Sequence, residues 1–173
     1  MAHRLAAKAE ITVPSARAVR VPDSVHSTFV AKRFNRTTEG RRLAFVSAMT
    51  LTQRAEGEPG ANYLEFIDLL QFKGSNTHRD RLELFRRVVF SIPIHNTDDH
   101  LRNHGFLIGE RGITLSPAYD INPSADGKEL SLAINEVVTY CDVSVAMNAH
   151  SSYGLSKIEA EAVVTKTKSA VAL

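Results

Sequence analysis

The sequence predicts an α+β fold, mainly α, on three observations. Apolar residues recur at intervals of three and four over 78–92, and the closing segment 156–171 is amphipathic in the same way. Patterns that fit strands are few and short, at 16–33 and 105–115. The 173 residues are 43% hydrophobic and 23% charged, the make-up of an ordinary globular chain, which excludes collagen-like, coiled-coil and mostly disordered classes.

Residues 2–9 read as a short helix that the run Ile11-Thr12-Val13-Pro14 ends, because proline biases the residue before it away from helical dihedrals. Residues 16–21 alternate small or apolar side chains with arginine and read as a strand. Pro22-Asp23-Ser24 is turn chemistry, and Thr28–Ala31 returns as a second strand, so 16–33 is a hairpin. Residues 42–50 and 62–72 are helical by pattern, separated by the loop Glu56-Gly57-Glu58-Pro59-Gly60.

In the helix at 78–92, Leu82, Phe85, Val88, Val89 and Ile92 mark the apolar face, with Arg79, Asp80, Glu83, Arg86 and Arg87 between them. Thr77 and Asp80 have the spacing of an N-terminal cap, and Pro93 ends or kinks the helix. Gly105–Ile108 and Gly112–Leu115 read as a hairpin around Glu110-Arg111. Ser156 opens the last helix with Glu159 at the capping-box spacing.

No run of about 18 apolar residues is present, so no transmembrane helix is expected. The N-terminus is interrupted by charge too often for a secretory signal. A single cysteine, Cys141, excludes an intramolecular disulfide framework and is compatible with a reducing compartment, so the expected location is cytoplasmic. Charge is uneven: residues 1–60 carry ten Lys+Arg against five Asp+Glu. Such a segment faces phosphates, of nucleotide or nucleic acid, or is simply a solvated surface. Its arginines are scattered and no aromatic ladder for stacking bases accompanies them.

The chemistry concentrates in residues 95–104, His-Asn-Thr-Asp-Asp-His-Leu-Arg-Asn-His, with three histidines, two aspartates and two asparagines in ten residues. Three readings compete. His95, His100 and His104 with Asp98 or Asp99 suit a transition-metal site, although no second His or Cys cluster lies elsewhere. A polar connector that caps and turns needs nothing more. The third reading is a phosphotransfer loop, since Asp98 and Asn103 have the Asp-x-x-x-x-Asn spacing of a kinase catalytic loop. In such a loop the aspartate takes the proton of an attacking hydroxyl and the asparagine holds magnesium. A second magnesium aspartate must come from beyond the next strand pair, where Asp120 stands; hard cations take oxygen ligands of this kind.

Three runs carry a resemblance: Leu84–Phe90, Asn96–Leu107 and Leu115–Ile121. Together they resemble the C-terminal half of the HipA toxin kinases, bacterial Ser/Thr protein kinases of toxin–antitoxin modules. Arg33-Phe34-Asn35-Arg36 is similar to that family's Arg-Phe-Asp-Arg hinge. The resemblance runs from about residue 4 to the C-terminus. It implies a protein-kinase-like C-lobe over 41–173, preceded by a residual helix and hairpin over 1–40. It further implies Asp98 as catalytic base, Asn103 and Asp120 as magnesium ligands, and His100 and Arg102 orienting the loop or the phosphates. The backbone from Lys32 to Phe34 would lie against the adenine of ATP. The implied acceptor is a protein, since related kinases phosphorylate aminoacyl-tRNA synthetases.

Three residues depart from the family pattern: Asn35 for aspartate, Pro93 for an aliphatic residue and His95 for glycine. By the resemblance, the chain starts after the lysine that grips the phosphates, so the N-terminal subdomain, the Gly-rich loop and that lysine are expected to be missing. Lys8 falls on a helix, and the first glycine is Gly40. The expected functions are therefore a kinase C-lobe completed by a separate N-terminal half, with an antitoxin as a further possible partner, or a catalytically inactive remnant that binds protein. Direct nucleic-acid binding through the basic first third is the remaining expectation, disfavoured because HipA-type systems engage DNA mainly through the antitoxin. Apolar surface is expected to be exposed on the 26–31 strand.

Overall fold

The computed structural model describes residues 2–22 and 25–171. The predicted elements form nearly as spaced. Helix α1 is Ala2–Lys8, and strands β1 (Ala16–Arg20) and β2 (Ser27–Ala31) pair antiparallel, with Ala16 opposite Ala31 and Arg20 opposite Ser27. Part of the turn read at Pro22-Asp23-Ser24 lies outside the described residues. All five residues of β2 are exposed, Phe29 and Val30 among them, as expected of that strand.

A second sheet joins β3 (Phe45–Ser47), β4 (Gly105–Gly109) and β5 (Gly112–Leu115) in that order, all antiparallel. The strand β3 corrects the helix expected over 42–50. Phe45 and Val46 pair with Leu107 and Phe106 across the ladder, where β-branched and aromatic side chains suit a half-buried pleated surface. Ser47 then caps a helix of five residues, α2 (Ala48–Thr52), by accepting the Thr50 N–H.

Helices α3 (Leu64–Lys73) and α4 (Thr77–Ser91) follow as spaced, and α4 stops ahead of Pro93. The Thr77–Asp80 cap does not form. Asn76 precedes the helix without a side-chain bond, Thr77 Oγ1 donates to the Leu70 carbonyl, and Asp80 turns inward to accept the Leu115 N–H at 3.1 Å. Helix α5 (Val143–Asn148), capped by Asp142, is an element that was not expected. Helix α6 (Lys157–Val171) closes the fold.

The core gathers around α4. Phe85, Val88, Val89 and Ile92 meet Phe66 and Leu70 of α3, Phe106 and Ile113 of the sheet, and Tyr153, Ala160 and Val163 from the α6 side. A smaller cluster seats Ala6, Ala9 and Ile11 against Phe90, Ala118 and Ala170, which packs α1 onto α6. The β4–β5 turn docks on the end of α3. Gly112, at φ +123°, brings its Cα so close to the Lys73 carbonyl that a Cβ would sit 2.3 Å from that oxygen, so only glycine fits there.

The capping box of α6 forms in full. Ser156 Oγ accepts the Glu159 N–H at 3.3 Å and Glu159 Oε2 accepts the Ser156 N–H at 2.8 Å. Replacing Ser156 with alanine is expected to lower stability by about 1 kcal/mol, measured by urea denaturation, because the Glu159 N–H loses its acceptor.

Candidate functional site

The end of α4 sets the loop. After Pro93 the chain reverses at His95, which adopts φ 50°. Glycine adopts such a left-handed backbone without strain, and histidine is one of the few side chains that tolerate it. Asn96 is buried; its N–H donates to the Ser91 carbonyl and its Oδ1 accepts the Asn122 N–H at 3.1 Å.

The Asp98 carbonyl then organises the loop. It accepts the His100 N–H at 3.0 Å and the Asn103 Nδ2 at 2.8 Å. Leu101–Asn103 form one 3-10 turn that feeds β4. With its amide nitrogen turned to Asp98, Asn103 keeps Oδ1 available as an acceptor. The Asp98 carboxylate is mostly exposed, with His100 Nε2 at 3.8 Å. Arg102 approaches His100 Nε2 at 3.4 Å and forms an ion pair with Glu56, which lowers the Glu56 carboxyl below the usual range.

The segment that carries Asp120 is tied to this loop. The segment after β5 is held by the Arg87 guanidinium on the Ser116 carbonyl at 2.6 Å and by the Ala118 N–H on the Thr12 carbonyl at 2.8 Å. Tyr119 donates its hydroxyl to the Arg102 carbonyl at 2.7 Å, and burial pushes that phenol up to about 12. Asp120 itself is left-handed at φ 55°, with Oδ1 accepting from Asn122 Nδ2 at 2.7 Å. Bonds from Tyr119, just before it, and Asn122, two residues after it, thus reach Arg102 and Asn96. Asn103 and Tyr119 also line the same cavity of about 20 Å³.

Phe34 joins through its ring. It stacks on Tyr119 with centroids 5.7 Å apart and lies 5.6 Å from Phe45. Lys32 stands apart; its N–H extends the hairpin to the Ser15 carbonyl, and its exposed side chain forms no hydrogen bond or ion pair with the loop. Beside the loop, Met49, the 55–61 segment, His100, Arg102 and Leu132 line a cleft of about 430 Å³.

The histidines do not gather into a transition-metal set. Among the described residues no group of three or more His, Cys, Asp or Glu side chains is placed to hold an ion. His104 instead faces inward, with Nε2 2.8 Å from Asp99 Oδ1. Asp99 also accepts the Tyr63 hydroxyl at 2.5 Å. Burial raises the Asp99 carboxyl, but the His104 and Tyr63 contacts outweigh it and the net shift is downward. Burial and the Asp99 charge drive the Tyr63 phenol well above its usual value. Sequence reasoning named Asp99 and His104 only as metal-site candidates and missed Tyr63 and the buried group that the three form.

The HipA-like C-terminal domain model matches residues 1–172. The chain belongs to this family. HipA of Shewanella oneidensis MR-1, solved in complex with HipB and its operator DNA, superposes with a TM-score of 0.76 at 17% identity, over 97% of this chain and 45% of that one. The HipA-like chain therefore spans less than half the length of that relative. The Helicobacter pylori proinflammatory kinase CtkA superposes with a TM-score of 0.60 at 12% identity, over 98% of this chain and 80% of that one. Both likenesses concern the fold, a mixed arrangement of helices and small antiparallel sheets like a kinase C-lobe. No curated protein sequence matches the chain. Among the described residues no helix is long and apolar enough to cross a membrane.

Proposed function

We propose that the chain is the C-terminal part of a HipA-like Ser/Thr protein kinase of the bacterial cytoplasm. The observation that carries this reading is the stitching of two segments around one space: Asn103 Nδ2 on the Asp98 carbonyl, and Tyr119 Oη on the Arg102 carbonyl next to Asp120. Asp98 is the base that accepts the proton of the acceptor hydroxyl, and its exposed carboxylate fits that task. Asn103 Oδ1 and the Asp120 carboxylate offer the one or two protein oxygens that magnesium takes when phosphates and water complete its shell. When bound, ATP would supply the transferable phosphoryl group and magnesium would offset its charge. His100 and Arg102 orient the loop, Phe34 lies at the adenine end, and the cleft beside Arg102 is the place for a protein substrate.

The HipA relative is assembled with HipB and operator DNA. For this chain we propose a separate N-terminal half or an antitoxin as protein partner. Among the described residues no strand carries a lysine, so the phosphate-gripping lysine of a kinase must be supplied from elsewhere. That same observation favours a second reading, a catalytically inactive domain that binds protein.

The test is phosphoryl transfer from labelled ATP, with the chain alone and with a candidate N-terminal half that carries a Gly-rich loop and lysine. The expected result is activity only in the pair, lowered about 10²- to 10⁴-fold by Asp98→Asn. Silence with every candidate half, or transfer indifferent to Asp98, leaves the binding-module reading.

A further inference from the structure

Three arginines share a hollow on the loop between β2 and β3. Arg36 and Arg42 face each other across the loop as an isolated antiparallel bridge, and the Leu43 N–H closes it on the Asn35 carbonyl at 3.1 Å. Arg33, Arg36 and Arg42 line, with Asn35 and Phe45, an open concavity of about 530 Å³.

Among the described residues none of the three forms an ion pair with a carboxylate. Glu39, the loop's own carboxylate, is bonded to the Thr37 and Thr38 side chains instead. The neutral Asn35 holds two of the arginines, accepting Arg33 Nε on Oδ1 at 3.4 Å and Arg36 Nη1 on its carbonyl at 3.2 Å. Desolvation, then the charges of Arg33 and Arg42, lower the Arg36 guanidinium below the usual arginine range.

We infer that Arg33, Arg36 and Arg42 form a binding site for a phosphomonoester. Guanidinium groups bond phosphate oxygens in pairs through their planar forks. A carboxylate offsets one of three positive charges, whereas a phosphomonoester brings about −1.5 to −2 and three acceptor oxygens. The wide mouth suits a phosphate carried on a larger molecule, either a phosphorylated side chain or a nucleoside monophosphate. Phe45 at the rim touches Phe34 and Tyr119, so a base or side chain attached to the phosphate finds an apolar edge.

The test is titration calorimetry on the full chain without magnesium, using AMP against adenosine and a phosphoserine peptide against its unphosphorylated twin. At least one phosphorylated ligand is expected to bind, and the tighter of the two identifies the source. Arg42→Gln, at an exposed position, and Arg36→Gln are each expected to weaken it about tenfold or more. Asn35→Asp places a carboxylate between the guanidinium groups and is expected to weaken it as well, whereas Lys166→Gln leaves it unchanged. Circular dichroism confirms that each variant is folded. Binding indifferent to phosphorylation, or unaltered in both Arg42→Gln and Asn35→Asp, overturns the inference. Because magnesium is left out and no transfer is read, failure here leaves the phosphotransfer reading intact.

Discussion

Replacing Asp99 with alanine is expected to lower the unfolding free energy by about 2–5 kcal/mol, because two buried polar partners, Tyr63 and His104, each lose the carboxylate they face. Asp99 is 4% exposed. It accepts the Tyr63 hydroxyl and lies 2.8 Å from His104 Nε2, and the His104 ring packs 5.7 Å from Tyr63 and 5.1 Å from Phe66. Truncation strands both partners in an apolar surround, where neither reaches water. Asp99→Asn keeps the shape and an acceptor for Tyr63 and loses the charge, so its cost is smaller, about 1–3 kcal/mol.

The dependence on pH follows from the direction of the shift. The folded carboxyl titrates below its unfolded value of 3.8, so its contribution is complete above that value. It is lost as the pH falls through the lower folded value. Urea denaturation of the wild type and Asp99→Asn therefore shows a gap near neutrality that closes in strong acid. Equal gaps in both conditions sink the assignment. Asp99 adjoins Asp98 and His104 adjoins Asn103, so the same pair clamps both ends of the loop that carries the proposed chemistry.

The sequence showed the candidate residues more readily than what holds them in place. Asp98 and Asn103 stand out by the Asp-x-x-x-x-Asn spacing, and Asp120 by its place beyond the next strand pair. Phe34 stands out through the hinge-like Arg-Phe-Asn-Arg run. Tyr63, by contrast, meets Asp99 only after α3 folds over the loop, and no local pattern records a contact between residues so far apart. Helix α4 shows the same limit. Its apolar period placed Phe85, Val88, Val89 and Ile92 in the core, where they lie. The period set Asp80, Glu83 and Arg87 apart as polar positions, and the structure buries all three. Hydropathy counts what a side chain avoids and is blind to the partners it finds. Over 42–50 the failure is of another kind: Phe45 and Val46 fit either period, and a ladder partner sixty residues downstream decided for the strand.

Those buried polar residues of α4 carry the second large effect. Arg87 donates Nε and Nη2 to Glu83 Oε1 at 3.0 and 2.8 Å, and Nη2 to the Ser116 carbonyl at 2.6 Å. Glu83 in turn accepts the Thr12 N–H at 3.1 Å. One turn of helix thus pins both the segment leading to Asp120 and the chain entering β1. Arg87→Ala is expected to cost about 3–5 kcal/mol, because Glu83 stays buried with one weak donor left. Arg87→Lys recovers little, since a single ammonium cannot reproduce the fork that spans a carboxylate and a carbonyl. The double variant Glu83→Leu/Arg87→Met removes both charges together and is expected to be more stable than Arg87→Ala, as paired apolar replacements of buried ion pairs are. The site distinguishes the two. In the double variant the core is repaired while Ser116 still lacks its donor, so hydrogen exchange at 116–122 is expected to stay faster than in the wild type. Stability and exchange recovering together would show that Arg87 acts through packing alone, and that the position of Asp120 does not depend on it.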